Sequence, residues 1–173
     1  MGRYAEGDDS AFSLLFAELS PRLLRFLRRL SGSEERAHDL LQEALLRMHQ
    51  GRGAFRPGMP VLPWAYTIAR NVFLDAARAA KRRPKLSAPI ETVEERAAEG
   101  GDAEQSLAAR EAAVIVERTL AGMTAARREA FILIRYEGFS VAEAAAMLGV
   151  SENAVKLRAF QAYELLREAL ARK

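Results

Sequence analysis

Cysteine is absent from the 173-residue chain, which removes disulfide frameworks, thiolate nucleophiles and every cysteine-ligated zinc site. Histidine is almost as scarce. The only two, His38 and His49, lie eleven residues apart on one expected helix, with no nucleophile or metal-ligand spacing beside them. Catalytic, metal and cofactor roles therefore have no residues to carry them, and the chain does not read as an enzyme. No apolar run is long enough to span a bilayer, and the residues after Met1 lack a signal-peptide pattern. The expectation is a cytoplasmic protein without membrane insertion.

What is present is a helical alphabet. Half of the residues are hydrophobic (50%), enough for real cores, and 28% are charged. The net charge is only +3, but its distribution is uneven. Residues 1–84 carry 14 Lys+Arg against 9 Asp+Glu, residues 85–108 carry 2 against 6, and residues 109–173 carry 10 against 8. Net values of +5, −4 and +2 follow from these counts. Two basic blocks around an acidic connector suggest two domains that face nucleic acid.

The first block opens with Asp8-Asp9-Ser10, a capping cluster ahead of Phe12, Leu15, Phe16 and Leu19 at helical spacing. Pro21 predicts a restart or a kink, after which Leu23, Leu24, Phe26, Leu27 and Leu30 continue the pattern among arginines. Ser31-Gly32-Ser33 is a turn and cap. The next helix runs from Glu34 to Gln50 with Ala37, Leu40, Leu41, Ala44, Leu45 and Met48 as its core stripe, and Asp39, Gln42, Glu43 and Arg47 outside it. From Gly51 to Pro63 the prolines and glycines predict a shaped, non-helical loop carrying Phe55, Met59 and Leu62. Pro63 suits the first position of a helix with Trp64, Ile68, Val72, Ala76 and Ala79 inward. That helix projects Arg70, Asn71, Asp75 and Arg78 and ends at Lys81-Arg82-Arg83-Pro84. Residues 85–108, acidic and poor in large apolar groups, read as a flexible linker.

The second block opens with a helix bearing Val114, Ile115, Val116 and Leu120 and closed by Gly122; Thr124 then caps another with Ala130, Phe131, Leu133, Ile134 and Tyr136. Ser140 and Glu143 make a capping box for a short helix whose small stripe is Val141, Ala144, Ala145 and Leu148. Gly149 ends it and Ser151 caps the next helix. That last helix turns Val155, Ala159, Ala162, Leu166 and Leu170 inward and Lys156, Leu157, Phe160, Gln161 and Glu164 outward. A short helix, a glycine turn and a long helix with a basic outer face form a helix-turn-helix, whose second helix enters the DNA major groove. The fold class is all-α, with two small helical domains joined by a linker and a helix-turn-helix in the C-terminal one.

Three stretches carry a family resemblance. Asp39-Leu40-Leu41-Gln42-Glu43-Ala44 resembles a D-L-x-Q-E-x segment of bacterial RNA polymerase sigma factors of the extracytoplasmic-function (ECF) type. Trp64 to Asn71 is similar to their W-L-Y-x-I-A-R-N segment. Glu143 to Lys156 matches their E-I-A-x-x-L-G-x-S-x-x-T-V-K pattern, with Ala144 in place of Ile and Ala154 in place of Thr. Leu157 stands where serine is common, and Gln161 where arginine is common.

The resemblance implies a transcription initiation factor that directs polymerase core to specific promoters. Residues 1–84 would be sigma region 2, 85–108 an acidic linker and 109–173 sigma region 4. Asp39, Leu40, Gln42 and Glu43 would dock on the clamp helices of RNA polymerase core, whose flap is a second expected contact. Met59, Leu62, Arg70, Asn71, Arg78, Lys81, Arg82 and Arg83 would hold the −10 element as melted single strand. Ser151, Asn153, Lys156, Leu157, Arg158, Phe160 and Gln161 would read the −35 element as duplex. The implied partners are core polymerase, promoter DNA and an anti-sigma factor. Two other readings use the same features: a sigma-like adaptor that titrates an anti-sigma factor, and a plain helix-turn-helix regulator.

Overall fold

The computed structural model describes residues 2–5, 10–56, 58–82 and 103–172. Asp8, Asp9, Pro57, Arg83, Pro84 and the expected linker as far as Asp102 lie outside the described residues. All regular structure among the described residues is helical. Helices up to Arg82 make one compact unit, and those that follow make most of a second.

In the first unit, α1 (Gly2–Ala5) precedes three long helices, α2 (Ser10–Ser31), α3 (Glu34–Gln50) and α4 (Val61–Arg82). The three long helices pack pairwise. Leu23, Phe26 and Leu27 of α2, Ala37, Ala44 and Met48 of α3, and Ala65, Tyr66 and Ala69 of α4 are all essentially inaccessible to solvent. The rings of Phe26 and Tyr66 meet at 4.9 Å between centroids in the middle of this core.

Pro21 neither restarts nor breaks α2, which is helical throughout. The proline removes one backbone bond, but Leu19 on one side and Leu23 on the other are buried in the same core and hold both halves in register. Helix α3 has the expected bounds. Ser33 sits extended before it and its Oγ accepts from the Arg36 N–H at 3.3 Å, while Gly32 takes a positive φ of 69° that relieves the turn.

The loop after α3 differs from the sequence expectation. Arg52–Ala54 form one 3₁₀ turn, and α4 starts at Val61, so Leu62 and Pro63 belong to its first turn. Pro63 is still tolerated there, because first-turn N–H groups have no intrahelical acceptor. The buried face of α4 is also rotated from the expected one: Ala65, Tyr66, Ala69 and Val72 are buried, Trp64 and Ile68 are half-buried, and Ala76 and Ala79 are exposed.

A contact that the sequence does not announce pins α1. Tyr4 is fully buried, its hydroxyl 2.7 Å from His49 Nδ1, with Phe12 stacked on its ring at 5.3 Å. His49 is thus a packed scaffold residue.

The helices that follow are α5 (Ala103–Gly122), α6 (Ala125–Phe131), α7 (Val141–Leu148) and α8 (Glu152–Ala171), all in the second unit except Ala146–Gly149. Helix α5 begins inside the stretch assigned to the linker, because Ala103-Glu104-Gln105 and Leu107-Ala108-Ala109 are strong helix formers. Thr124 occupies the cap position of α6, but its side chain makes no capping hydrogen bond. Its carbonyl accepts instead from the N–H groups of Arg127 and Arg128. Helix α6 continues as a π-helical turn, Ile132–Tyr136, with the Glu137 N–H bonded five residues back to the Ile132 carbonyl at 3.1 Å. Ala130, Phe131, Ile132 and Leu133 are buried in succession where α6 passes into this turn. Leu120, Met123, Phe131, Ala162 and Leu166 form the core between α5, α6 and α8.

The helix-turn-helix is held by local chemistry. The N–H of Ser140 donates to Glu143 Oε2 at 2.8 Å, and the Glu143 N–H donates back to Ser140 Oγ at 3.2 Å. At the other end of α7, Gly149 has a φ of +66°, the Val150 N–H bonds the Ala145 carbonyl at 3.1 Å, and the Gly149 N–H approaches that of Ala146. This is a Schellman motif, and a side chain at position 149 would strain it. Ser151 then caps α8, its Oγ accepting from the Ala154 N–H at 3.3 Å.

The capping box carries a pH signature. Two hydrogen bonds from Ser140 hold the Glu143 carboxyl below its ordinary range. A depressed folded-state value means that the contribution is fully present above the unfolded value, roughly pH 4.3, and disappears as pH falls through the folded value. Glu143→Gln is therefore expected to melt below wild type at pH 7, with the gap closing below about pH 4. Thermal melts of both proteins across pH 3–7 check this; a gap independent of pH would remove the carboxylate from the cap.

Candidate functional site

On α3, Asp39 and Gln42 are exposed three residues apart, and Leu40 is half-buried. The same face continues to Leu46, a turn further along and 50% exposed. A single exposed leucine is ordinary on a protein surface, and only its register with Asp39 and Gln42 makes Leu46 a candidate. Sequence reading missed Leu46 because it sits among Ala44, Leu45 and Met48, which are core. Its signal was the seven-residue spacing from Asp39.

Glu43 departs from expectation. It is half-buried, and its Oε1 accepts from Arg47 Nε at 2.7 Å. Arg47 Nη1 also reaches Asp75 Oδ2 at 2.7 Å, and Arg78 Nη1 lies 3.3 Å from Asp75 Oδ1. Glu43, Arg47, Asp75 and Arg78 thus form one alternating chain of charges that ties α3 to α4. Hydrogen bonding to Arg47 lowers the Asp75 pKa, and the carboxylates of Asp75 and Glu43 raise that of Arg47. Glu43 thus has an intramolecular partner in Arg47, while its side chain stays 45% exposed.

On α4, Asn71, Asp75, Arg78 and Arg82 are all exposed at i, i+4, i+7 and i+11, a single stripe, with Lys81 exposed beside it. Arg70 is half-buried. Cations in the last turn also complement the helix dipole. Leu62 does not share this stripe. It is half-buried and nine residues before Asn71, which at about 100° per residue puts it on the opposite side of the helix. Met59 is in the loop and 42% exposed. Met59 and Leu62, expected together with Asn71 at the −10 strand, are thus not on one face of α4.

On α8, Val155 and Ala162 are fully buried, which fixes the opposite face outward. That face presents Asn153, Lys156, Leu157 and Phe160, all exposed, at i, i+3, i+4 and i+7. Three other expected contacts are engaged elsewhere or partly covered. The Ser151 hydroxyl serves the cap, Arg158 is half-buried, and Gln161 is half-buried with its Oε1 accepting from Arg127 Nε at 3.0 Å. Leu170 is not core: it is 39% exposed and lines a groove of about 310 Å³ with Val116, Tyr136 and Tyr163. Among the described residues no helix is long and apolar enough to cross a membrane.

Comparison with known proteins gives the family. The family description Sigma-70 region 2 matches residues 15–83, and Sigma-70, region 4 matches residues 113–166. The RNA polymerase sigma factor CarQ of Myxococcus xanthus is 35% identical over 170 residues, covering 98% of this chain and 95% of that one. The ECF RNA polymerase sigma factor SigM of Mycobacterium tuberculosis is 36% identical over 170 residues, with 98% of this chain and 82% of that one covered. Among solved structures, the sigma factor RpoE of Bartonella quintana, in complex with the anti-sigma factor NepR, aligns with a TM-score of 0.79 at 29% identity. That alignment covers 93% of this chain and 97% of the other.

The chain therefore belongs to the sigma-70 family, as an RNA polymerase sigma factor of the extracytoplasmic-function type. It is a transcription initiation factor rather than an enzyme, and it directs RNA polymerase to promoters.

Proposed function

We propose that the two helical units divide promoter recognition between them, the unit up to residue 84 reading the −10 element as single strand and the unit from residue 109 reading the −35 element as duplex. The observation that carries this reading is the outward stripe of α8, where Asn153, Lys156, Leu157 and Phe160 stand together on a helix fixed by a Schellman turn and a serine cap. The N-terminal half of such a helix is where side chains reach base edges. Lys156 suits a phosphate and Asn153 a base edge. Gln161 braces α8 against α6 through Arg127.

On the first unit, Asn71 captures an unpaired base of the −10 strand, with Met59 of the preceding loop as a further contact and Arg78, Lys81, Arg82 and Arg83 along the DNA backbone. An amide that both donates and accepts suits a base edge, and exposed cations suit phosphates. The face of Asp39, Gln42 and Leu46 docks on polymerase core. Residues 85–108 connect the two readings, so that the second contact becomes intramolecular and two weak contacts add. A cytoplasmic location follows from that task. The solved Bartonella relative was captured with an anti-sigma factor, and a partner of the same class is proposed here.

Two measurements test the reading. Purified chain and core polymerase, offered a randomised promoter library, are expected to yield transcripts that share two spaced elements; transcription no different from core alone would reject it. A chain that selects a palindromic operator as a dimer without core would favour the plain regulator. Asp39→Lys is expected to compete poorly for core while melting within about 0.5 kcal/mol of wild type, since exposed charge changes cost little stability. Equal competition would take the α3 face out of the interface.

A further inference from the structure

We propose that Leu157 and Phe160 act as a methyl-reading pair, selecting thymines in the −35 element by their C5-methyl groups. This rests on the reading of α8 as the helix that enters the upstream duplex. The side chains are 56% and 60% exposed, the two most exposed large apolar residues of α8. Single exposed apolar residues are ordinary on protein surfaces and need no explanation. These two differ in register. They lie three residues apart on the stripe that also holds Asn153 and Lys156, and no acid interrupts that stripe before Glu164.

The chemistry then narrows the target. Leucine and phenylalanine side chains can read no donor or acceptor pattern, and the thymine methyl is the apolar group on the base edges of the major groove. The pair cannot swing inward, because Val155 and Ala162 occupy the inner face with no accessible surface. Gln161, one residue beyond Phe160, is half-buried and its Oε1 is engaged by Arg127. The stripe therefore divides into a polar N-terminal half, Asn153 and Lys156, and an apolar half one turn further along. The upstream element is expected to hold thymine, on either strand, opposite the apolar half.

Deoxyuridine, which lacks only the methyl group, isolates the effect. Holoenzyme reconstituted from this chain and core polymerase first selects its preferred upstream element from a random library. Each thymine in that element is then replaced singly by deoxyuridine, and relative affinity is measured by competition. One or two positions are expected to lose about fourfold, the worth of one buried methyl. Leu157→Ala should abolish the penalty at one position and Phe160→Ala at a neighbouring one, with salt dependence unchanged because no phosphate contact is lost. Both residues are exposed, so neither variant should fold less well. Two outcomes overturn the pair while leaving the helix in its groove: an element still selected but indifferent to deoxyuridine everywhere, or penalties that persist in both variants. Failure to select any upstream element would overturn the groove reading and the pair with it.

Discussion

Asn71→Ala is expected to leave the factor able to join core polymerase and hold the −35 duplex, yet unable to keep the start region open. Unpaired bases re-pair unless something captures them, and a good hydrogen-bond contact to a base edge is worth about 1–3 kcal/mol, or roughly 5- to 150-fold in occupancy. Asn71 is exposed on α4, so its loss should barely change stability. Its neighbours on the stripe fit the role. Asp75 is occupied by Arg47 and Arg78, which leaves Asn71 as the uncharged group able to meet a base there. Permanganate reactivity of thymines near the start site, in wild-type and variant holoenzyme, measures the effect. Equal reactivity would sink the capture role. Loss of core binding as well would place Asn71 in the scaffold of the interface.

Phe26→Ala is expected to cost the first unit about 3–5 kcal/mol, a large part of the stability of any small domain. Phe26 has no accessible surface and its ring lies against Tyr66, so truncation leaves a cavity and removes an aromatic pair at once. The measurement is specific to that unit. Trp64 on α4 is the chain's single tryptophan, and its ring meets Phe55 edge-on at 5.3 Å. Tryptophan fluorescence during urea unfolding therefore reports the first unit alone. A loss under about 1 kcal/mol would mean that the surrounding helices collapse into the space. Activity should follow stability, with −10 functions failing at lower temperature than binding of the −35 duplex by the second unit.

The charged residues on α3 and α4 show where surface reading needs three dimensions. In the sequence Glu43 is an outward acid beside Asp39 and Gln42, and Arg78 is one of a run of cations. In the structure Glu43 and Arg78 are the two ends of a chain closed by Arg47 and Asp75. Part of the charge expected to face partners is therefore satisfied internally. Asp39, Arg78, Lys81 and Arg82 remain exposed.

By itself the sequence determined what is settled within about four residues along the chain: the bounds of α3, the Ser140–Glu143 box, the Schellman turn at Gly149 and the Ser151 cap. Such signals are legible because donor and acceptor are neighbours whatever the rest of the chain does. The family motifs were legible for a related reason, since two fall within one helix each and the third within a single helix-turn-helix. Tertiary structure decided which face of α4 is buried. Residues 61–69 are apolar almost all round, so period alone could not choose between Trp64 and Tyr66, and packing against α2 and α3 did. It also decided which polar groups find partners inside the protein. Arg47 meets Asp75 across 28 residues, Arg127 meets Gln161 across 34 and Tyr4 meets His49 across 45. No local rule reaches so far, because these pairings exist only once the helices have packed. The same packing left Leu157 and Phe160 outside: the inner face of α8 was already filled by Val155, Ala162 and Leu166.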